Sequence, residues 1–322
     1  MWKSSLLQRN ELDDEAWNDF VDASPQQYLY YYTWYLDAAC PGWQAIVVEQ
    51  GGHWVAVMPL PLQRKGSVKY AFQPHLTQFG GIIFVAQEGT RHRYHHFLKT
   101  ATQHALAALP RDLFGLEVNL HPAVQYFLPF FWEKFEVRPR FTYWLPVDDD
   151  FDKLVKCFSS SVINHRKKAQ KNGLSIGEGG SPDGLLAIAR RERIFGPAEA
   201  ATFGRVWQAV EKRGDGLLLT AKTPEGAVAS AAAFIWDKNK MVFYAIAQDG
   251  RHKTSGANAL LISEAIHRCC ERGGIRNFDF EGSMIETVEQ YFRAFNPVAK
   301  SYFSIRKTRY PWLFRLYRRI KR

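Results

Sequence analysis

The amino-acid sequence predicts an α/β (α+β) protein made of two halves, each a mixed, mostly antiparallel sheet flanked by helices. The chain has 322 residues, more than an average domain needs. In both halves, strand-like runs alternate with amphipathic segments that are typical of helices. The pattern is interrupted once, around the acidic run that follows Pro146. We therefore expect one domain at 1–147 and a second at 148–322.

The first half is predicted to begin with two helices, Asp13–Val21 and a segment from about Gln27 to Ala39, separated by a Ser-Pro break. A longer amphipathic helix is expected at Arg91–Ala108, closed by Pro110. The strands of this half are expected at Trp43–Glu49, His53–Leu62, Val68–Gln73, Gly81–Val85, Leu113–Leu120 and Phe135–Leu145.

The second half repeats this alternation. It opens with a predicted helix, Asp152–Asn172, which ends at Gly173 because glycine tolerates a left-handed backbone. The later helices are expected at Asp183–Arg193, Ala198–Arg213, Asn258–Arg272 and Ile285–Phe295. A first strand is expected to begin in Leu174–Gly177, and further strands are expected at Gly216–Thr223, Val228–Asp237, Lys240–Gln248, Arg276–Glu281 and Lys300–Arg306. Interleaved strands and helices of this kind predict one sheet per half.

The charge is unevenly distributed. The net charge is +10, and the segment from Lys300 to Arg322 holds nine basic residues and no acidic one. A second basic cluster, HRKKAQKN, spans His165–Asn172. Basic patches attract phosphate-bearing partners such as nucleotides, tRNA or anionic lipid headgroups, although the same pattern is typical of a solvated helix face.

Cysteine usage and hydropathy indicate the compartment. The four cysteines (Cys40, Cys157, Cys269 and Cys270) form no CxxC pair, so neither a disulfide framework nor a zinc or other metal site is expected. The sequence has no signal-peptide pattern and no apolar run of about 18 residues. We expect a cytoplasmic protein. Its C-terminal tail, YPWLFRLYRRIKR, either lies on an anionic membrane surface or packs on the first half.

The order of elements in the second half resembles the core of the GNAT acyltransferases: a hairpin, a central strand, a loop and a helix, then strand, helix and strand. Three segments resemble the FemAB-like transferases of that superfamily: SSSVINHRKKAQKNGLSI, GGIRNFDFEGS and IETVEQYFRAFNPVAKSYFSI. The first half, with AVMPLPLQRKGSVKYAFQPHLTQFGGIIF, resembles the degenerate first half of that group. The resemblance implies two tandem GNAT-like halves, with the reaction centre in the second.

The resemblance also implies that acyl-CoA is the donor and that its pyrophosphate lies on the loop after the central strand. The residues at the corresponding positions are Gln248, Gly250, Arg251, Lys253, Gly256 and Asn258. Asn258 departs from the family pattern, in which a glycine or alanine stands there. A bulge in the central strand is implied as well, which would free an amide between Ala245 and Ala247 for the acyl carbonyl. The alternative for the loop after the central strand is an ordinary strand-to-helix turn that binds no phosphate.

Attack by an amine requires a base for the ammonium proton. Asp279 and Glu281 alternate with phenylalanines, so we expect both carboxylates on one face of a strand, with Glu281 at its C-terminal end. Glu281 is the first candidate for the base or a substrate clamp, Asp279 the second, and Tyr302 the candidate general acid. Alternatively, one of the two carboxylates pairs with an arginine such as Arg293 and holds sheet and helix together.

The acceptor is expected to be an amine on a small molecule, a peptide or an amino sugar. The candidate substrate-binding residues are Gln73, His75, Gln78, Tyr244, Arg293 and Lys300. Three interpretations remain open: a GNAT-type N-acyltransferase that uses acyl-CoA, a FemAB-like enzyme that transfers an amino acid from charged tRNA to a peptidoglycan precursor, and a non-catalytic binding protein with a GNAT-like fold.

Overall fold

Contacts within the chain group its residues into two compact units, and both boundaries between these units lie inside strands. The computed structural model describes residues 1–309. Its first unit is Met1–Arg140 together with the segment that begins at Ser301, and its second is Phe141–Lys300. The divisions fall within the strands β8 (Glu136–Pro146) and β14 (Val298–Thr308). The domain boundary expected at 147/148 remains a prediction.

The first unit begins with a strand, β1 (Trp2–Gln8), that the sequence pattern did not predict. It pairs antiparallel with β2 along its whole length, and the sheet has the order β1-β2-β3-β6. A second set of neighbouring strands has the order β4-β5-β7-β14. The remaining strands are β2 (Gln44–Gln50), β3 (His53–Leu60), β4 (Leu62–Lys65), β5 (Val68–Phe72), β6 (Ile83–Phe84) and β7 (Leu113–Asn119). The helices are α1 (Asp14–Ala23), α2 (Thr33–Ala39), α3 (Arg91–Ala107) and α4 (Leu128–Trp132).

The second unit contains a sheet with the order β8-β13-β12-β11-β10-β9. Its further strands are β9 (Ser175–Glu178), β10 (Gly216–Lys222), β11 (Val228–Trp236), β12 (Lys240–Gln248) and β13 (Asn277–Asp279). Its helices are α5 (Phe151–Lys156), α6 (Ser160–Lys171), α7 (Asp183–Arg191), α8 (Pro197–Arg213), α9 (Ala257–Arg272) and α10 (Glu286–Arg293). Helix α9 buries an apolar face that includes Leu261, Ile262 and Ile266 in the core of this unit.

The expectation of one helix over Asp152–Asn172 is wrong, because the chain breaks at Cys157–Phe158. Phe158 is buried against the ring of Phe295, with the centroids 5.2 Å apart. The next residue, Ser159, then caps α6 by accepting the backbone N–H of Val162 on its side-chain oxygen. The break therefore separates a basic helix, α6, from the shorter helix before it.

Within residues 1–309, no helix combines the length and the apolar character that are needed to cross a membrane.

Candidate functional site

Two parallel strands part in the middle of the second unit. β12 and β13 are paired at only three positions, the last of which joins Val242 to Asp279. β13 ends there, whereas β12 continues to Gln248. The last six residues of β12 therefore have no ladder partner in β13. Such an opening at the end of a strand exposes backbone groups to a ligand.

The central strand carries a bulge beside this opening. Ala233 of β11 pairs with Ala245, but the next residue, Phe234, pairs with Phe243, so Tyr244 is the extra residue on β12. The expected bulge is confirmed. The ring of Tyr244 is only 3% exposed and stacks on Phe203 of α8, with the centroids 6.0 Å apart. Tyr244 therefore packs in the interior of the unit, and its proposed contact with substrate remains a prediction.

Glu281 lies two residues beyond the end of β13, in a left-handed turn. Its φ is +58°, which is rare for a residue with a side chain, and Gly282 follows with a φ of +62°. A Cβ at position 282 would lie 2.5 Å from the carbonyl oxygen of Phe141, so only glycine fits there. Burial raises the pKa of Glu281 well above its usual range. The turn therefore holds a carboxyl group that favours its protonated form.

Asp279 shapes this turn. Its side chain is fully buried, and its Oδ1 accepts the hydroxyl of Thr142 at 3.0 Å and the backbone N–H of Glu281 at 2.7 Å. The expectation that both carboxylates share one face of a strand is wrong, because the strand ends at Asp279 and the backbone turns left-handed at Glu281. A buried and doubly hydrogen-bonded carboxylate suits a positioning role better than proton transfer.

Arg293, considered above as a partner for these carboxylates, pairs with Glu289 one turn earlier on α10. The distance from Nε to Oε1 is 3.1 Å. Glu289 also accepts the hydroxyl of Tyr143 on β8 at 2.8 Å. The guanidinium of Arg293 remains largely exposed, so a contact between Arg293 and substrate is still a proposal.

The loop after β12 is held by an internal ion pair. Arg251 donates from Nη2 to Oδ2 of Asp249 at 2.6 Å, and Arg191 of α7 donates to the same oxygen at 2.7 Å. Asp249 is almost fully buried, and its hydrogen bonds with Arg251 hold the pKa of its carboxyl group well below the usual range. The sequence pattern did not indicate this carboxylate. Arg251 is thus paired with a carboxylate inside the loop, and its expected contact with a pyrophosphate remains a prediction.

Three other expected donor-binding residues also make contacts inside the fold. Gln248 donates from Nε2 to the carbonyl oxygen of His252 at 3.0 Å. Asn258 accepts the hydroxyl of Ser230 at 2.7 Å, so the residue that departs from the family pattern anchors α9 to β11. A Cβ at Gly250 would lie 2.9 Å from a carboxylate oxygen of Glu192.

Gly256 is the point at which helix α6 meets the start of α9. Its φ is +86°, and a Cβ at this position would overlap the carbonyl oxygen of His165. The side chain of Asn172 donates to the carbonyl oxygen of Ser255, which adds a second link between α6 and the loop. Lys253, in contrast, is exposed. Lys253 and the first turn of α9 are therefore the features of the loop best suited to a pyrophosphate.

The acceptor candidates of the first unit lie in a loop that is tied to β7. Gln73 accepts the backbone N–H of Asn119 at 3.0 Å and donates to the carbonyl oxygen of Thr77 at 3.1 Å. Gln78 is buried, and its carbonyl oxygen accepts the amide of Asn119. Only His75, of the three expected residues, is exposed. Gln73 and Gln78 therefore stabilise the loop, and a role in acceptor binding remains a proposal.

Two further candidates lie on β14. Tyr302 is 4% exposed in the first unit and packs edge-on against Phe79, with the ring centroids 5.2 Å apart. Its burial argues against the expected role as a general acid. Lys300 is exposed in the second unit, where its Nζ lies 6.0 Å from the ring centroid of Trp144. Lys240 lies 5.0 Å from the same ring, so two ammonium groups approach one indole.

The two adjacent cysteines of α9 do not favour covalent catalysis by a thiol. Cys269 and Cys270 are buried in α9, and burial raises the pKa of Cys270 to about 11. A thiol with so high a pKa is a poor nucleophile at neutral pH. Among residues 1–309, no group of three His, Cys, Asp or Glu side chains is arranged to hold a metal ion.

The sequence of the second unit matches a known domain. The model of the acetyltransferase (GNAT) domain matches residues 185–293, which include β12, the loop after it, α9 and Glu281. No curated protein matches the chain at the level of sequence.

Three solved structures are similar to most of the chain. FemX is 14% identical with a TM-score of 0.64, and the match covers 91% of this chain and 96% of FemX. A tandem GNAT protein from the clavulanic acid biosynthesis pathway is 13% identical with a TM-score of 0.58, covering 96% and 98% of the two chains. The C-terminal domain of a putative lysylphosphatidylglycerol synthetase from Agrobacterium fabrum is 9% identical with a TM-score of 0.53, covering 90% of each chain. At these identities the likeness establishes the fold.

Proposed function

Because the chain has the tandem GNAT fold of the FemAB-like type, we propose that it is an N-acyltransferase whose reaction centre lies where β12 and β13 part. One observation carries the proposal. The strands separate after three residue pairs, and Glu281, whose pKa is raised by burial, lies just beyond the end of the shorter strand. The second unit thus offers backbone groups to bind an acyl carbonyl. It also offers a carboxylate to accept a proton.

Glu281 is the proposed base. The amine nitrogen of the acceptor attacks the acyl carbonyl carbon, the new C–N bond forms, and the bond from that carbon to the leaving group breaks. Ionised Glu281 takes the proton that the nitrogen must lose, and passes it to the leaving group or to solvent. A raised pKa brings the basicity of the carboxylate closer to that of a neutral-pH base, which favours proton transfer. The bulge at Tyr244 supports a role for β12 amides in holding the carbonyl oxygen.

Acyl-CoA is the proposed donor, and it supplies an acyl group activated as a thioester. Its pyrophosphate would be held by Lys253 and by backbone N–H groups in the first turn of α9. Gln248, Gly250, Arg251, Gly256 and Asn258 would act indirectly, because their contacts fix the shape of the loop.

The test is donor binding by calorimetry, with acetyl-CoA, longer acyl-CoAs and free CoA. Lys253→Ala should weaken binding of all three about tenfold, the effect of losing one charge-assisted contact. Lys212→Ala, which removes an exposed lysine from α8, is the matched control and should bind like wild type. If well-folded wild-type protein binds no CoA species, the proposal of acyl-CoA as donor fails, while the proposed transfer to an amine can still be tested with another donor.

Aminoacyl-tRNA is the second candidate donor, and the position of helix α6 favours it. The helix exposes Lys167, Lys168 and Lys171, and it packs on Gly256 at the start of α9. A row of exposed lysines next to the donor loop suits a phosphate backbone. We expect Lys167→Gln/Lys168→Gln to weaken the binding of charged tRNA. The slope of log K against log[salt] should fall by the amount that corresponds to about two phosphate contacts. Unchanged binding and salt dependence in this variant would exclude α6 as the contact surface.

A further inference from the structure

The first unit exposes a cluster of large apolar side chains on the short helix α4. Leu128 is 38% exposed, Phe131 59% and Trp132 45%. Single exposed apolar residues are ordinary on protein surfaces, but three within five residues form a contiguous patch, and such patches often mark an interaction site. We name Leu128, Phe131 and Trp132 the aromatic patch.

Helix α3 lies against this patch and is basic. From Gly89 to Arg111 the chain contains four Arg or Lys residues, four His and no acidic residue. The exposed side chains of its first turns are Arg91, His92, Arg93, His95, His96 and Lys99. The exposed face of α3 therefore presents three formally charged cations, Arg91, Arg93 and Lys99.

Ring contacts fix the two features next to each other. The Nζ of Lys99 lies 5.4 Å from the ring centroid of Trp132. His95 stacks on Tyr126, just before α4, with centroids 4.6 Å apart and planes within 2° of parallel. Tyr126 in turn contacts Trp132 edge-on at 6.5 Å. The acidic residue nearest to the patch in sequence, Glu133, is exposed directly after Trp132 and offsets only part of this charge.

We propose that the aromatic patch and the basic face of α3 form a docking surface for an anionic lipid bilayer. Trp and Phe side chains are favoured at the boundary between headgroups and acyl chains, and neighbouring Lys and Arg add attraction to anionic headgroups. Charge complementarity selects this partner, because the sequence around the patch carries several cations and few acids. The residues of this surface differ from those of the C-terminal tail, for which membrane contact was one of two alternatives and whose residues after Arg309 lie outside the described part of the chain.

The test is co-sedimentation of the full chain with vesicles of phosphatidylglycerol and phosphatidylcholine, compared with vesicles of phosphatidylcholine alone. Wild type should bind the anionic vesicles preferentially. Phe131→Ser/Trp132→Ser and Arg93→Gln/Lys99→Gln should each weaken that binding about tenfold or more, since each cation near the surface contributes about a fivefold factor. Ile194→Ser and Arg190→Gln/Lys212→Gln remove equally exposed groups from the second unit and should bind like wild type.

All variants keep the C-terminal tail, and circular dichroism confirms that each is folded. Full vesicle binding by both surface variants would overturn the proposal, because binding would then depend on another segment. Equal binding of wild type to both kinds of vesicle would overturn the role of charge. A concentration-dependent dimer that is lost in Phe131→Ser/Trp132→Ser, without vesicle binding by wild type, would assign the patch to a second copy of the chain and would also overturn the proposal.

Discussion

Thr142 and Glu281 are joined through a single oxygen atom. The Oδ1 of Asp279 accepts the hydroxyl of Thr142 and the backbone N–H of Glu281 at 3.0 and 2.7 Å. Thr142 belongs to β8, so a neighbouring strand fixes the turn that carries the proposed base. The backbone of Glu281 keeps its rare left-handed conformation because these hydrogen bonds hold it there.

Asp279→Ala should lower both stability and turnover. The variant leaves the hydroxyl of Thr142 and the amide of Glu281 without their acceptor, which costs about 1–3 kcal/mol of unfolding free energy for each buried group. We expect kcat to fall while the KM for the donor changes little, because Asp279 orients the base without contacting the donor. Asp279→Asn keeps an oxygen acceptor and should retain most of the activity. Denaturant unfolding and steady-state kinetics measure both effects, and equal losses of activity in the two variants would contradict the positioning role.

Glu281→Gln should lose activity and gain stability. Removing a general base lowers the rate about 10²–10⁴-fold. Because burial raises the pKa of Glu281, the folded protein favours the neutral carboxyl group, and this contribution to stability is lost as the pH rises from the usual carboxyl range through the raised pKa. The amide variant avoids that loss. Its unfolding free energy should therefore exceed that of wild type increasingly as the pH rises. If the unfolding free energies of wild type and variant change with pH in parallel, the raised pKa is contradicted. Glu88→Gln, at an exposed site, serves as control.

Gly256→Ala and Gly214→Ala compare two glycines that have the same left-handed backbone and flank helices α9 and α8. Their φ values are +86° and +70°, with ψ of 4° and 20°, so each substitution carries a backbone cost of about 1–2 kcal/mol. A Cβ at Gly214 meets open space, whereas a Cβ at Gly256 overlaps the carbonyl oxygen of His165. Gly256→Ala should therefore destabilise the protein by about 1–3 kcal/mol more than Gly214→Ala, as overpacking does. Thermal or denaturant unfolding measures the difference, and equal effects would contradict the close packing of α6 on α9.

Asp249→Asn should destabilise the protein in a pH-dependent way. Hydrogen bonds from Arg251 and the charge of Arg191 lower the pKa of Asp249, so ionised Asp249 stabilises the fold above the usual carboxyl range, and this contribution is lost as the pH falls. The melting temperatures of wild type and variant should differ at neutral pH and converge in acid. Asp148→Asn breaks the exposed pair with Lys153 and should have little effect at any pH. A difference for Asp249→Asn that does not depend on pH would argue against the ion pair.

Most elements of the fold could be predicted because local sequence patterns define them, and the tandem GNAT arrangement was implied by the resemblance of their order to that superfamily. β12 has the predicted bounds, Lys240–Gln248, and α3 and α8 differ from expectation by one residue at an end. β1 could not be predicted, since WKSSLLQ shows no clear alternation. That strand forms because it pairs with β2 more than thirty residues away.

The sequence indicated that Glu281 lies near the end of a strand, but it did not indicate the hydrogen bonds and ion pairs around the candidate site. The order of elements placed Glu281 next to the end of a strand, and the glycine after it was the available signal for a turn. Arg251 pairs with Asp249 only two residues away, but Arg191, which donates to the same oxygen, is 58 residues from Asp249. Thr142, likewise, is 137 residues from Asp279. Contacts over such separations leave no trace in local periodicity.

The contact between Gly256 and His165 bears on how motifs in such loops are interpreted. A glycine after a central strand invites the conclusion that a ligand's phosphate approaches its backbone, yet here a carbonyl oxygen of the same protein occupies the space of the missing side chain. The absence of a side chain at 256 is thus required by the architecture whatever the donor is. A pattern match at this position would count as support for nucleotide binding in a search, although helix α6 alone is enough to account for it.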